Sequence, residues 1–253
     1  MDLKLKKKKV LVTGGARGIG KAIAAAFIKE GAHVGIVARN QEELKTTQEE
    51  LGVQIYSKDL SKQEQREELI NDFIRDFKRI DILINNAGAS FGKDSLTTPV
   101  NVFDESMKIN FFSAVHLSQL VSKQMVSQGE DGGVIINVSS IYGRESGGSP
   151  SYNASKAALI SFTKSFSTEA IKNKIRVVGI APGATYHPNK EWIRRLENDP
   201  DFLKKYAADK IPSGRLGETE DIANVAVFLG SDNASWIVGT TIPIDGGQSR
   251  MNF

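Results

Sequence analysis

The chain contains no cysteine in 253 residues, which excludes disulfides and thiolate-held metals and is compatible with a reducing, cytoplasmic compartment. It has only three histidines. His33 opens a strand pattern and His116 falls in a helical one, neither with other ligand-type residues at metal spacing, and no metal is expected. No apolar run approaches the length of a bilayer span, so no membrane partner is expected. Charge of one sign is also scarce: 33 basic against 30 acidic residues leave +3, and five of the lysines stand in "KLKKKK" at residues 4–9. Only "VLV" follows before the glycines, too little for a secretory signal. The basic run therefore reads as a solvated lead-in, residues 1–8, and no nucleic-acid partner is expected.

What is present is an ordinary globular composition, 40% hydrophobic and 25% charged, long enough for one large α/β unit. Short β-branched runs alternate with helical stretches along the whole chain. Strands are expected at 9–14, 33–38, 53–57, 81–86, 133–139, 175–183 and 241–245, and helices at 18–30, 41–50, 61–78, 101–128, 151–173, 201–210 and 219–230. Runs such as "ILIN" and "VIINV" are apolar without alternation, as in parallel strands covered on both faces. Strand and helix in turn imply βαβ units, hence a Rossmann-type, doubly wound parallel sheet with helices on both faces. No linker or repeat interrupts it, so residues 1–253 read as a single dinucleotide-binding and catalytic domain. The irregular stretch 184–216 is expected to be a substrate lid.

"KVLVTGGARGIGKAIAAAF" reads as strand, glycine turn and helix, with Gly14, Gly18 and Gly20 spaced G-x-x-x-G-x-G around Ile19. Glycines let a backbone approach closely, and a helix opening near Gly18 aims free N–H groups at an anion. The second strand ends in Ala38-Arg39, where folds that prefer NAD usually place an acid on the ribose. Arg39 and Arg17 instead suit a 2′-phosphate, so NADP(H) is the preferred cofactor, with NAD(H) possible.

Further on, "SYNASKAAL" puts Tyr152 and Lys156 one helical turn apart on one face. An ammonium there pulls a phenol's pKa down from its ordinary value of about 10, which prepares the phenol for proton transfer. Such a pair serves hydride chemistry at a carbonyl, where a growing alkoxide needs a proton and hydrogen bonds.

With "TGGARGIG", "NNAG" (85–88), "NVSS" (137–140), "YNASK" (152–156), "APG" (181–183) and "PIDGG" (243–247) in order, the chain resembles the short-chain dehydrogenase/reductase family nearly end to end. The resemblance implies that Gly14, Gly18 and Gly20 pass the pyrophosphate, that Asp59 meets the adenine amine, and that Asn86 and Gly88 pack near the adenine ribose. It implies that Asn110 kinks its helix and holds a water bonded to the lysine, and that Ser140 bonds the substrate oxygen. Tyr152 is then the proton donor or acceptor, while Lys156 binds the nicotinamide ribose and lowers the phenol's pKa. Pro182 and Gly183 shape the loop around the carboxamide, with Thr185 beside them on the cofactor. A homotetramer acting on a small carbonyl or alcohol substrate is the expectation that goes with it.

Three departures bear on this reading. The family's twelve-residue spacing to the tyrosine selects Ser139, whereas the strand motif selects Ser140 with a one-residue loop deletion; Ser140 is assigned, because a loop absorbs a deletion more readily than a strand absorbs a shift. His187 stands where the family commonly has threonine, and either substrate or cofactor phosphate is open to it. Arg144, Glu145, Tyr186 and Trp192 are candidate substrate contacts on the lips 142–151 and 184–211. The alternatives are a carrier-protein ketoreductase, a sugar dehydrogenase and a non-catalytic NADP sensor; Glu130 and Asp131 in "SQGEDGG" weigh against the first, because they would repel an acidic carrier protein.

Overall fold

The computed structural model describes residues 2–129, 131–187, 193 and 196–252. Seven parallel strands form one sheet in the order β3-β2-β1-β4-β5-β6-β7. They are β1 (Lys9–Thr13), β2 (His33–Ala38), β3 (Gln54–Ser57), β4 (Ile82–Asn85), β5 (Gly133–Val138), β6 (Ile175–Pro182) and β7 (Thr241–Ile244). Helices α1 (Gly18–Lys29), α2 (Gln41–Leu51), α3 (Gln63–Phe77), α4 (Val100–Met107), α5 (Ser113–Ser127), α6 (Pro150–Ala170), α7 (Phe202–Lys210) and α8 (Thr219–Gly230) connect them.

Apolar residues on both faces of each strand explain why the sheet is covered twice. Val10, Val12, Ile82 and Ile84 face a layer holding Ile23 and Phe27 of α1 and Ile222 and Val227 of α8. Leu11, Leu83 and Ile135 face Leu69 and Phe73 of α3 and Leu117 and Val121 of α5. Burial of each such side chain contributes about 1.5–3 kcal/mol before the entropy of ordering it. Chain order reverses beside β1, whose neighbours are β2 and β4. A crevice at the carboxyl ends of the strands follows from that reversal.

Two elements differ from the sequence reading. The stretch 101–128 is not one helix but α4 and α5 joined by a π-turn at Lys108–Phe112, around the Asn110 expected to kink it. The lead-in is not wholly solvated: Leu5 is 2% exposed and joins the core, and Lys7 N–H donates to the Gly31 carbonyl at 2.8 Å. No helix among the described residues is long and apolar enough to cross a membrane.

Candidate active site

The glycine turn lies at the crevice between β1 and β4. Gly14 and Gly18 have φ of +64° and +54°, a region that side chains rarely enter. Gly20 is demanded by space: a Cβ there would overlap the Gly14 carbonyl oxygen and stand 2.5 Å from Asn86 Nδ2. Asn86 in turn donates to the carbonyls of Thr13 (2.9 Å) and Gly14 (3.2 Å), so the "NNAG" turn holds the glycine turn in place. Ile19 packs on the α1 layer. Helix α1 has no acid in its first turn and its N-cap, Arg17, gives no side-chain cap. That uncapped N-terminus with closely approachable backbone fits a dinucleotide pyrophosphate.

Arg17 and Arg39 are exposed near the end of β2. Arg17 pairs loosely with Glu43 at 3.8 Å. Burial works to raise the Asp59 carboxyl, but hydrogen bonds from Ser61 and the Arg39 charge outweigh it and hold Asp59 below its ordinary value. Asp59 thus lies on the Arg39 side of the crevice, with its carboxylate ionised.

The second cluster is organised by β5 and α6. Pro150 opens α6 at a position suited to its fixed φ, placing Tyr152 and Lys156 in the first two turns. The two serines ending β5 divide, as alternation along a strand requires. Ser139 Oγ donates to the Lys156 carbonyl at 3.0 Å, which faces it away from the phenol. Ser140 Oγ accepts from Tyr142 N–H at 3.2 Å and bonds the Tyr152 phenol.

Lys156 is 3% exposed, and its ammonium donates to the Val138 carbonyl at 2.7 Å. Burial lowers its pKa to about 8, which leaves it mostly charged at neutral pH. The expected lowering of the phenol is not what the structure shows. Burial raises Tyr152 above its ordinary value, and the Ser140 hydrogen bond pulls back only part of the way. The Lys156 ammonium lies over the ring, 5.6 Å from its centroid, and its hydrogen bond goes to a backbone carbonyl.

Asn110 sits inside the π-turn, buried, with its amide clamped on both sides. Its Oδ1 accepts from Ala89 N–H (2.8 Å), and its Nδ2 donates to the Ala89 carbonyl, Ser106 and Ser155 at 2.9, 3.0 and 3.1 Å. Gly88 leaves room for this: a Cβ would stand 2.7 Å from Asn110 Oδ1 and 3.4 Å from Lys156 Nζ. Beneath, Asn85 donates to Asn137 (2.8 Å) and Asn137 to Thr163 (2.9 Å), a buried amide ladder from β4 through β5 to α6.

Beyond β6, Pro182 closes the strand and Gly183 packs against Asp245 and Gln248. Thr185 is buried and donates to the Gly183 carbonyl at 3.1 Å. His187 lies against Gly18, its Cδ2 3.4 Å from where a Gly18 Cβ would be, and burial lowers its pKa. Tyr186 is exposed, Arg144 and Glu145 are half-buried, and Trp192 and Glu130 lie outside the described residues. Asp131 pairs with Arg79 at 3.1 Å. The structure thus brings Ser140, Tyr152, Lys156, Asn110 and Gly88 into one cluster, with the glycine turn beside it; Arg17, Arg39 and Asp59 stand at the outer end of the crevice. Sequence reading missed Ser106 and Ser155, whose part depends on contacts 49 residues apart and leaves no local signal.

The likeness to known proteins covers the whole of this arrangement. A family model described as enoyl-(acyl carrier protein) reductase matches residues 14–249. The chain is 36% identical to the sorbitol-6-phosphate 2-dehydrogenase of Klebsiella pneumoniae over 269 residues, covering 98% of each chain. It superposes on the L-sorbose reductase of Gluconobacter frateurii, solved with NADPH and L-sorbose, with a TM-score of 0.90 and 32% identity over 99% of this chain and 100% of that one. A 7α-hydroxysteroid dehydrogenase, solved with NADH and 7-oxo glycochenodeoxycholic acid, gives 0.88 and 32% over 99% and 97%. A match at this identity along the full length, over a seven-stranded parallel sheet with its crevice beside β1, makes the chain a member of the short-chain dehydrogenase/reductase family, oxidoreductases of CH–OH groups.

Proposed function

We propose that the protein is an NADP(H)-dependent oxidoreductase interconverting a ketone and a secondary alcohol, with NAD(H) as a weaker cofactor. The observation that carries this is the convergence of the Ser140 hydroxyl, the Tyr152 phenol and the Lys156 ammonium at the end of β5, beside the glycine turn.

A bound nicotinamide dinucleotide would supply the hydride to the carbonyl carbon, or take it from the alcohol carbon. The chain's own groups manage the oxygen. Ser140, oriented by the Tyr142 N–H, donates to the developing oxyanion, and Tyr152 delivers the proton. A phenol held protonated by burial suits the reducing direction at neutral pH. Lys156 offers its remaining N–H donors beside Gly88 to a ribose hydroxyl, and Asn110 fixes the backbone at Ala89 and the start of α6. NADP(H) is favoured because β2 ends without a carboxylate and two guanidiniums stand near its end. The same reading takes the chain as a cytoplasmic homotetramer; Trp236, 98% exposed, supports association, and light scattering on the eluting protein tests it.

The test is NADPH oxidation against ketones, β-ketoesters and sugars, with NADH and Tyr152→Phe in parallel. Turnover with NADPH, slower turnover with NADH, and a fall in kcat of about 10²–10⁴-fold in the variant are expected. Alcohol oxidation should rise with pH as the phenol ionises, while reduction does not. NADPH binding without turnover of any compound would favour a sensor instead.

A further inference from the structure

Helix α3 opens without a side-chain cap, since Lys62, which precedes it, gives the helix no hydrogen bond from its side chain. The turn before it is held instead by side chains that reach back from the first turn of the helix. Gln65 Oε1 accepts from the Asp59 N–H, and Arg66 Nη1 donates to the Leu60 carbonyl at 2.7 Å. Asp59 Oδ1 accepts from the Ser61 N–H and hydroxyl at 3.0 and 2.8 Å. These bonds fasten the Asp59 turn to α3.

Arg66 is a buried cation, 7% exposed, and among the described residues no carboxylate hydrogen-bonds it. Its other bond runs from α3 across to an imidazole on α5: Arg66 Nε donates to His116 Nδ1 at 3.0 Å. A guanidinium only donates, so this bond needs a bare Nδ1 and hence a neutral ring with its proton on Nε2. Nε2 faces Glu67 Oε1 at 3.8 Å. Among the described residues, the charged groups facing His116 are Arg66 and Glu67 from α3 and Lys123 from α5 itself. Burial and the two cations outweigh Glu67 and hold the imidazole below its ordinary value of 6.5. A proton on Nδ1 would replace the bond with two cations in contact, one of them buried, which is costly.

We propose that Arg66 is a positioning residue for the Asp59 turn and that protonation of His116 releases it, so that binding at the adenine end of the crevice is coupled to a proton held between α3 and α5. This rests on the cofactor reading above, in which Asp59 lies beside the adenine. Cofactor binding favours the fastened turn, and the fastened turn excludes a proton from Nδ1. Affinity is therefore full above the ordinary histidine value and falls as the pH drops below it. By reciprocity, bound cofactor makes His116 harder to protonate.

The probe is NADP+, which is stable in acid, with the three histidine rings followed by proton NMR and His116 assigned by its loss in His116→Asn. Saturating NADP+ should lower the proton affinity of His116 about two- to tenfold. Arg66→Leu should bring His116 back toward 6.5 and remove its response to NADP+. His116→Asn, whose Oδ1 accepts the Arg66 bond without titrating, should match wild type at about pH 7.5 and bind NADP+ about twofold or more tighter than wild type at about pH 5.5, by calorimetry. Taking the ratio at each pH cancels the titration of the cofactor's own phosphate. A His116 midpoint unmoved by NADP+, or parallel pH profiles for wild type and His116→Asn, would overturn the inference while leaving the oxidoreductase reading standing. No binding of NADP+ or NAD+ at any pH removes the cofactor reading and this inference together.

Discussion

On the cofactor side of the cleft, between β1 and β4, the groups around each functional atom are mostly backbone and glycine. Gly20 and Asn86 lock the glycine turn, and Gly88 makes space for Asn110 and Lys156. On the other side, past β5 and β6, Tyr206, Gln248 and Glu145 hold elements together through side chains, one such bond linking positions 105 residues apart. The first construction tolerates almost no added atom. The second can be rewritten one side chain at a time, so one fold serves sugar and steroid enzymes among its relatives.

The contrast is most easily broken with a single methyl group. Gly20→Ala drives a Cβ into backbone and should cost about 3 kcal/mol in denaturant unfolding, whereas Gly214→Ala, at φ +75° with open space around it, should cost only about 1 kcal/mol. Equal costs would show that a small shift of the glycine turn absorbs the Gly20 Cβ.

Lys156 gives the next largest effect, with a defined sign. Below about pH 8 its ammonium is charged whether the chain is folded or not. Between about 8 and the ordinary lysine value of 10.5, the unfolded chain holds the extra proton, so rising pH favours the folded state. Wild type should therefore gain stability relative to Lys156→Met, on the order of 2 kcal/mol from pH 7 to 10, read from paired denaturant curves. No relative gain would mean that the ammonium is better solvated than its burial implies.

At the outer end of the crevice, Arg39→Ala should weaken NADPH binding about tenfold and NADH binding less than threefold, by fluorescence titration. Glu43→Gln, which removes the acid 3.8 Å from Arg17, should tighten NADPH about two- to fivefold with no change in melting temperature. If NADH responds as strongly as NADPH in either variant, the phosphate reading of the arginines fails.

Much of the cofactor side was legible in the chain, because local rules build it. Apolar runs gave the seven strands within a residue or so, and the glycine spacing gave the turn after β1. The Tyr152–Lys156 spacing was readable for the same reason, since a helix fixes what lies one turn away. Periodicity over 101–128 did not show the π-turn; only the resemblance placed a kink at Asn110. Nor could it show the phenol's raised pKa, which follows from how deeply the fold buries Tyr152. Tyr206 and Gln248 were ordinary polar and aromatic residues until the fold brought them together.

Strand β7 is the sheet's last, and its carbonyls at Thr240 and Ile244 point inward to Gly179 and Gly183. Alternation therefore turns Pro243, one residue before Ile244, toward the open border. That border lacks an N–H at its centre, so a strand from another molecule cannot zip onto it to lengthen the sheet. Association across this edge must then go through side chains, and backbone pairing there is interrupted by one ring.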